Sequence, residues 1–329
     1  MGRLLFKKIK MKVLITGITG SGGSYFAEYL IEKGFIEVIG TSRYPEPTKH
    51  KNLIRVHDKV KCVIVDLLDF KKTLQIFDSE KPDIIFHLAS NADVKKSFDE
   101  PFEIVNGNIA ITLNILEALK ILNLTQGYNP IIHVCSTAEV YGNSNSCLIN
   151  ESSPTRPINP YAVSKLAQDN LAWVYFLNYG LKVIRTRMFS YFNAKRSNLV
   201  ASSFAIQIKK VLEDKQDVIV HGNLDSIRTI LDIRDASEAY WLAATKGIAG
   251  EVYNIGANEE ISIRNVLGHL IKISNKKIPT KFDSNLYRPS DIIRQVPDVS
   301  KFVKATGWKQ NYNLMESLDF FWKEICFFW

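Results

Sequence analysis

The chain has 329 residues, of which 46% are hydrophobic and 23% charged, and its formal net charge is +8. This length can bury one large domain or two lobes, and the composition argues against disorder. The positive charge suits an anionic partner, but the lysines are spread along the chain without an arginine-rich arm. We therefore expect a phosphate-bearing small molecule as ligand, and no nucleic acid.

The cysteines point away from metal binding. They form no C-x-x-C pair and have no histidine at metal-ligand spacing, so no metal site is predicted at Cys62, Cys135, Cys147 or Cys326. The N-terminal M-G-R-L-L-F-K-K-I-K is too short and too interrupted by lysine for a signal peptide. No stretch is apolar enough to predict a membrane span. We expect a cytoplasmic protein in a reducing compartment.

The first predicted strand, Lys12 to Thr16, leads into a glycine-rich turn and an amphipathic helix from Ser24 to Lys33. Gly17, Gly20 and Gly23 have the spacing G-x-x-G-x-x-G. In that spacing the first glycine allows a tight turn, the second lets the backbone approach a pyrophosphate, and the third lets the helix pack closely. The helix N-terminus then faces the anion. A purely structural turn is the alternative.

The second predicted strand, Glu37 to Gly40, ends in T-S-R-Y. A site for NAD usually carries Asp or Glu here to bind the ribose 2′-hydroxyl. This chain has Arg43 instead, and an arginine without a competing carboxylate suits a 2′-phosphate. The residue type favours NADP over NAD, with a solvated surface charge as the alternative for Arg43.

Two further strands are predicted at Lys61 to Val65 and at Asp83 to Ala89. Asp66, at the end of the first, could accept a hydrogen bond from an adenine amino group or cap the helix that begins at Phe70. The end of the second would run beside the pyrophosphate and the nicotinamide ribose. His87 lies within this apolar strand, and we interpret it as a core histidine, not a catalytic one.

A long helix, Ile109 to Leu122, precedes a strand, Ile131 to Cys135, that ends in S-T-A-E. On the following helix, Tyr161 to Asn178, Tyr161 and Lys165 are four residues apart and therefore project from one face. A phenol, an ammonium, a hydroxyl and a carboxylate can then meet where a strand ends beside a helix. That is the usual place for chemistry in an open α/β sheet.

Strands that alternate with helices indicate βαβ units and an α/β fold with a doubly wound parallel sheet of the Rossmann type. After a strand at Leu181 to Thr186 the pattern loosens, with a helix from Ser202, a short strand at Val218 to Val220, and a helix, Asp235 to Ala244, that could rejoin the main sheet. We predict a dinucleotide-binding domain over residues 11–189, to which 229–247 returns. A smaller mixed α/β substrate-binding lobe is predicted over 190–228 and 248–329, with a cleft between the two.

The chain is similar to the extended short-chain dehydrogenase/reductase family, the nucleotide-sugar epimerases and dehydratases. The similarity lies in T-G-I-T-G-S-G-G-S-Y, V-D-L-L-D, H-L-A-S, S-T-A-E-V-Y-G, N-P-Y-A-V-S-K and R-P-S-D, and it runs from Lys12 to about Trp308. Within the family the chain most resembles the GDP-mannose 4,6-dehydratases and the GDP-4-keto-6-deoxymannose reductases. T-G-I-T-G and G-N-L-D resemble the dehydratases, whereas G-T-S-R, A-Y-W-L and G-E-V-Y-N-I-G resemble the reductases.

The resemblance implies four catalytic residues. Tyr161 would take the proton from a sugar hydroxyl, and Lys165 would bind the nicotinamide ribose and lower the pKa of the phenol from its free value of about 10. Thr137 would donate a hydrogen bond to the C4 oxygen of the sugar. Glu139 would remove the C5 proton in a dehydratase; hydrogen bonding to the backbone at a strand end is its alternative.

The resemblance also implies binding residues. Cofactor contacts would come from the glycine turn and the strand ends, that is from Gly17, Thr19, Gly20, Gly23, Arg43, Asp66, Leu67, Leu88, Ala89 and Ser90, together with Tyr161 and Lys165. Substrate contacts would come from Asn193, Arg228 and Arg288, with structural ion pairs as the alternative for the two arginines. Ser190 stands where the family often has asparagine, which leaves the identity of the sugar open.

We therefore predict an NADP-dependent nucleotide-sugar 4,6-dehydratase that acts on GDP-mannose or a close relative. A reductase of 4-keto-6-deoxy sugars that uses NADPH, or an epimerase, is the alternative. A non-catalytic dinucleotide-binding protein is less favoured, because such proteins tend to lose the tyrosine or the lysine. The family also implies a homodimer, built through a four-helix interface of the helices 109–122 and 161–178; whether the dimer pairs into a tetramer is left open.

Overall fold

The computed structural model describes residues 11–34, 36–46, 49–144, 148–286 and 292–329. The strands, in chain order, are β1 Met11–Thr16, β2 Ile36–Ser42, β3 Lys61–Ile64, β4 Ile84–His87, β5 Ile131–Thr137, β6 Lys182–Met188, β7 Ile219–His221, β8 Ile227–Thr229, β9 Val252–Ile255, β10 Glu260–Ser262, β11 Thr280–Phe282 and β12 Arg294–Gln295. The helices are α1 Ser21–Glu32, α2 Phe70–Glu80, α3 Val94–Asp99, α4 Pro101–Gln126, α5 Pro160–Tyr179, α6 Val200–Leu212, α7 Ile233–Lys246, α8 Ile263–Ile273, α9 Ser300–Thr306 and α10 Leu314–Phe328.

The main sheet has the strand order β3-β2-β1-β4-β5-β6-β9, and every neighbouring pair in it is parallel. This order confirms the predicted doubly wound sheet. The chain leaves β1 toward one edge and returns to β4 on the other side, so a crevice opens between the carboxyl ends of β1 and β4. Ligands of such sheets bind in that crevice.

One strand lies elsewhere than predicted. The sequence predicts residues 252–255 in the smaller lobe, but they form β9, which pairs with β6 from Arg185↔Val252 to Met188↔Ile255. Tyr253 and Ile255 are buried in the core of the large sheet. A strand of four residues carries too little periodicity to reveal which of two sheets it joins.

Helices cover both faces of the main sheet, as its sequence requires. Along β1, Val13 and Ile15 pack into the cluster that contains α1 and α7, whereas Leu14 packs into the cluster that contains α4. All three side chains have no exposed surface. Strands buried on both faces read as continuous apolar runs, which is the pattern of a parallel sheet.

The helix α4 is longer than predicted, since it spans 26 residues and begins at Pro101, not at Ile109. Proline is favoured in the first turn of a helix, and Gly127 ends this one in the left-handed conformation (φ +66°). By length and by the mean hydropathy of 1.3 over 18 of its residues, the helix could cross a membrane, so the expectation that no stretch is apolar enough is wrong for it. In this fold Ile115, Leu119 and their neighbours pack against the sheet.

The smaller lobe is built from α6, α8 and α10, which share a core that includes Phe204, Leu267 and Phe321. Its strands form two small sheets of order β10-β8-β12 and β11-β7. This lobe touches the large sheet at one informative place. Gln295 of β12 is buried and donates a hydrogen bond to the carbonyl oxygen of Ala138, 3.0 Å away, directly after β5.

Candidate active site

The glycine-rich turn has the geometry that its spacing predicts. Gly17 has φ +72°, and a Cβ atom there would lie 2.9 Å from the Cα atom of Ala89. A Cβ atom on Gly23 would lie 2.5 Å from the carbonyl oxygen of Gly17. Gly20 is the N-cap of α1, which begins three residues before the predicted Ser24. No side chain of the described residues caps the first amide groups of this helix. The turn therefore presents bare backbone N–H groups, which suit an anion.

The end of β2 carries no acidic side chain. Arg43 follows this strand and is exposed, and the next carboxylate, Glu46, forms an ion pair with Lys49 at 2.7 Å. Thr19 of the glycine turn lies beside this strand end, with its hydroxyl oxygen 3.3 Å from that of Ser42. Arg43, the predicted contact for a 2′-phosphate, thus follows a strand end that lies beside the glycine turn, the predicted contact for the pyrophosphate.

The ends of β3 and β4 lie at the same edge of the parallel sheet as the glycine turn. Asp66 is exposed and accepts a hydrogen bond from the amide of Leu68 at 3.0 Å; Asp69, not Asp66, caps α2. Leu67 is buried, and its carbonyl oxygen is held by Asn114 at 2.8 Å.

After β4, the amides of Leu88 and Ala89 both donate to the hydroxyl of Thr16 at 3.1 Å. Next to them the hydroxyl of Ser90 is buried and has no hydrogen-bond partner within the described ranges. A buried polar atom without a partner is uncommon, so it marks a place where a ligand is expected.

The four predicted catalytic side chains come from the end of β5 and the start of α5. Tyr161 and Lys165 are 9% and 5% exposed, and the Lys165 ammonium donates to the carbonyl oxygen of Cys135 in β5. The hydroxyl oxygen of Thr137, the last residue of β5, accepts a hydrogen bond from the amide of Glu139 at 3.3 Å. Glu139 lies in the 3₁₀ turn Ala138–Tyr141.

The alternative for Glu139 was a hydrogen bond from its carboxylate to the backbone. In the part of the chain that the structure describes, the carboxylate binds a side chain instead. Its Oε2 atom accepts a hydrogen bond from the Asn159 side chain at 2.9 Å. Asn159 is the N-cap of α5 and lies two residues before Tyr161. The carboxylate is near enough to the phenol for its charge to raise the pKa of Tyr161.

Burial dominates the electrostatics of the tyrosine and the lysine. It raises the pKa of the Tyr161 phenol well above its usual range, and the nearby Arg196 guanidinium opposes this shift. Burial also lowers the pKa of Lys165, which the charge of Asp169 on the next helical turn opposes. Without a bound cation the phenol therefore keeps its proton at neutral pH.

Buried hydrogen bonds next to the site link the helices α4 and α5 with the strands β1 and β4. His87 is buried and hydrogen-bonded at both ring nitrogens, to Thr16 at 2.9 Å and to Thr112 at 2.8 Å, which confirms it as a core residue. Burial lowers the pKa of His87 to about 3, so the ring is neutral. Asn108 of α4 donates to Ser164 of α5 at 2.9 Å. The signal for this contact in the sequence is a polar residue inside an apolar helix.

The three predicted substrate residues have different outcomes. Asn193 is buried, and its side chain donates to Ser21 of α1 at 3.0 Å and accepts from the Lys195 amide at 3.2 Å, so both ends serve the fold. The Arg228 guanidinium donates to the carbonyl oxygens of Ile227 and Ile292 at 2.9 and 2.6 Å. Arg228 of β8 lies opposite Gln295 of the neighbouring strand β12, and Gln295 donates a hydrogen bond to Ala138 in the turn after β5. Arg288 lies outside the described residues.

Two cations in the segment after β6 were missed by sequence reasoning. The ammonium of Lys195 is fully buried and binds Glu28 of α1 at 2.5 Å and the carbonyl oxygen of Asn52 at 2.9 Å. Arg196 donates to the carbonyl oxygen of Ala92 at 2.8 Å. Because their partners are about a hundred or more residues away in the chain, no local pattern could have identified them.

Comparisons with known proteins identify the family of this chain. The family described as GDP-mannose 4,6 dehydratase matches residues 14–319. A dTDP-glucose 4,6-dehydratase of Haemophilus influenzae is 28% identical over 94% of this chain and 96% of its own length. A GDP-6-deoxy-D-mannose reductase of Pseudomonas aeruginosa is 30% identical over 73% of this chain and 79% of its own.

A solved structure gives the same result for the fold. The UDP-glucuronic acid 4-epimerase of Bacillus cereus, in complex with UDP-glucuronic acid and NAD, superimposes with a TM-score of 0.85 at 25% identity. The match covers 97% of this chain and all of that one. The protein therefore belongs to the family of nucleotide-sugar dehydratases and epimerases within the extended short-chain dehydrogenases/reductases.

Proposed function

We propose that this protein is an NADP-dependent nucleotide-sugar 4,6-dehydratase whose substrate is GDP-mannose or a close relative. The observation that carries the proposal is the Glu139 carboxylate, held by Asn159 at the start of the helix that bears Tyr161. Oxidation or reduction at C4 alone needs the phenol and the lysine but no carboxylate beside them. Removal of a proton from C5 needs a base in this place.

The chain's own residues then have distinct tasks. Tyr161 takes the proton of the C4 hydroxyl, and Thr137 donates a hydrogen bond to the same oxygen. The glycine turn, Tyr161 and Lys165 would hold NADP, which would supply the hydride acceptor for C4 and the hydride source for C6. Once C4 is a ketone, the C5 proton is acidic because the carbonyl delocalises the resulting charge. Glu139 removes this proton and delivers a proton to the C6 hydroxyl, which leaves as water.

The residues around the crevice fit a dinucleotide. The unpartnered hydroxyl of Ser90, the bare amides at the start of α1 and the close contact between Gly17 and Ala89 all suit a pyrophosphate and a ribose. The choice of NADP over NAD rests on Arg43 and on the lack of an acidic side chain at the end of β2. We propose that the nucleotide sugar binds opposite this dinucleotide, between the large sheet and the smaller lobe.

Incubation with GDP-mannose and a catalytic amount of NADP tests the proposal. A dehydratase yields a 4-keto-6-deoxy sugar that is lighter by one water, with no net consumption of cofactor. A panel of GDP-, dTDP- and UDP-sugars, scored by mass, identifies the base and the sugar. No loss of water from any of them would overturn the assignment.

A reductase is the second candidate, because the Pseudomonas aeruginosa reductase is 30% identical to this chain. A reductase leaves GDP-mannose unchanged and consumes NADPH in a one-to-one ratio when it is given a 4-keto-6-deoxy sugar. An epimerase would instead change the configuration at C4 without a change in mass. These three outcomes are mutually exclusive for a given substrate.

We also propose a homodimer through the outer faces of α4 and α5. These faces expose apolar side chains that an aqueous surface does not favour, among them Leu113 (37% exposed), Trp173 (40%), Val174 (43%) and Leu177 (64%). A second copy of the same two helices would cover them as an isologous interface.

A further inference from the structure

Asn159 uses the two ends of its side chain for two different purposes. Its Oδ1 atom accepts a hydrogen bond from the amide of Ala162 at 2.7 Å, which caps α5. Its Nδ2 atom donates to Oε2 of Glu139 at 2.9 Å. The residue is 6% exposed, and Pro160 follows it as the first residue of the helix.

The cap fixes the direction of the amide N–H group. Because the amide group is planar, anchoring Oδ1 on the helix leaves Nδ2 little freedom to rotate. The same helix carries Tyr161 and Lys165. One side chain therefore sets the position of the carboxylate relative to the phenol and the ammonium.

The backbone of Glu139 is already held on both sides. Thr137 accepts a hydrogen bond from its amide at 3.3 Å, and the carbonyl oxygen of Glu139 accepts one from the amide of Gly142 at 3.1 Å. What remains variable is the rotation of the carboxylate. Among the described residues, Asn159 supplies the hydrogen bond that restrains it, through Oε2 and not through Oε1.

We propose that Asn159 is a positioning residue, which orients Glu139 with Oε1 free to accept the C5 proton. This inference rests on the proposed function for the task of Glu139. Serine and aspartate cap helices about as well as asparagine does, but neither reproduces its second contact. Aspartate has no N–H donor, and the single serine oxygen, which lies one bond closer to the backbone than Nδ2, serves the cap. Capping of the helix alone would therefore not require asparagine at this position, whereas the hydrogen bond to the Glu139 carboxylate does.

The test compares Asn159→Ser, Asn159→Asp and Asn159→Ala. Serine preserves the cap, and its shorter side chain does not reach Glu139 while it caps α5, so we expect an unchanged unfolding midpoint and a kcat lower by about 10- to 100-fold, with KM changed by less than about two-fold. Aspartate also preserves the cap but sets a second carboxylate against Glu139, so its kcat should fall at least as far and its midpoint should lie below that of the serine variant. Alanine loses both contacts, so the same fall in kcat comes with a lower midpoint. Asn313→Ala is the matched control, because Asn313 caps α10 far along the chain from the site. It should lower the midpoint and leave kcat unchanged.

A wild-type kcat in Asn159→Ser would overturn the proposal and leave Asn159 as a helix cap only. Crystal structures of the wild type and of Asn159→Ser give a second readout that does not depend on any substrate. The Glu139 carboxylate should lie within hydrogen-bonding distance of residue 159 in the first and turn away in the second; an identical position would contradict the inference. If the wild type releases water from no sugar, the proposed function fails, and the pair of structures still decides this point.

Discussion

Asp169 offers the most quantitative prediction about how α5 is held on the sheet. Its carboxylate has no exposed surface and binds Arg185 and Arg187 of β6, each at 2.7 Å, and those two side chains are 9% and 8% exposed. Arg187 also donates to the hydroxyl of Tyr141 at 2.9 Å, at the end of the turn that carries Glu139. The three charges thus join α5, β6 and the active-site turn.

Substitution of Asp169 by asparagine keeps the size of the side chain and removes its charge. One of the two hydrogen bonds then sets an N–H donor against a guanidinium donor, and both buried cations lose their counter-ion. Breaking a buried ion pair in this way costs about 3–5 kcal/mol, a large part of the 5–15 kcal/mol that stabilises a typical protein. The charge that opposes the effect of burial on the pKa of Lys165 is also lost, so activity should fall as well.

Equilibrium urea unfolding, followed by circular dichroism, measures the effect. With a slope of about 3 kcal/mol per molar urea, the midpoint should fall by about 1–1.7 M. Glu251→Gln is the matched control, because it breaks an ion pair of the same length with Lys301. The side chains of Lys301 and Glu251 are 38% and 45% exposed. Exposed pairs contribute about 0–1 kcal/mol. Equal midpoints for the two variants would refute the reasoning.

Three further predictions concern pH, cofactor choice and assembly. Burial lowers the pKa of both His87 and His133 from 6.5 to about 3, so the folded state takes up protons less readily than the unfolded state between these values. The contribution of these two neutral histidines to the free energy of unfolding is therefore present above pH 6.5 and is lost as the pH falls from 6.5 toward 3. Each histidine costs about 1.3 kcal/mol between pH 7 and pH 5.5, and urea midpoints that stay constant over this range would contradict the assignment. Arg43→Ala should weaken binding of NADP about ten-fold and leave that of NAD unchanged, as isothermal titration calorimetry can measure, whereas Lys49→Ala serves as the control. Leu177→Glu should convert the proposed dimer to a monomer in sedimentation velocity, and a monomeric wild type would rule the dimer out.

Much of the site could be predicted from sequence because its signals are local. The glycine spacing, the Ser-Thr-x-Glu cluster after β5 and the pair Tyr161 and Lys165 each lie within one strand end or one helix turn. The course of the chain through β1 to β6 followed from the alternation of strands and helices in the same way.

The parts that were missed depend on contacts between distant segments. Lys195 reaches Glu28 across more than 160 residues, and nothing near either residue marks them as partners. The bond between Asn159 and Glu139 depends on how α5 packs beside the turn after β5, which periodicity does not specify. Asn193 matched the family by residue type, but its neighbours in the fold use both ends of its side chain.

The most direct test of the account is a single turnover of Glu139→Gln with bound NADP and GDP-mannose. Oxidation at C4 depends on Tyr161 and Lys165, so the absorbance of the reduced nicotinamide should appear and persist, while mass spectrometry finds no loss of water. Release of water at the wild-type rate would contradict the central claim that this carboxylate is the base.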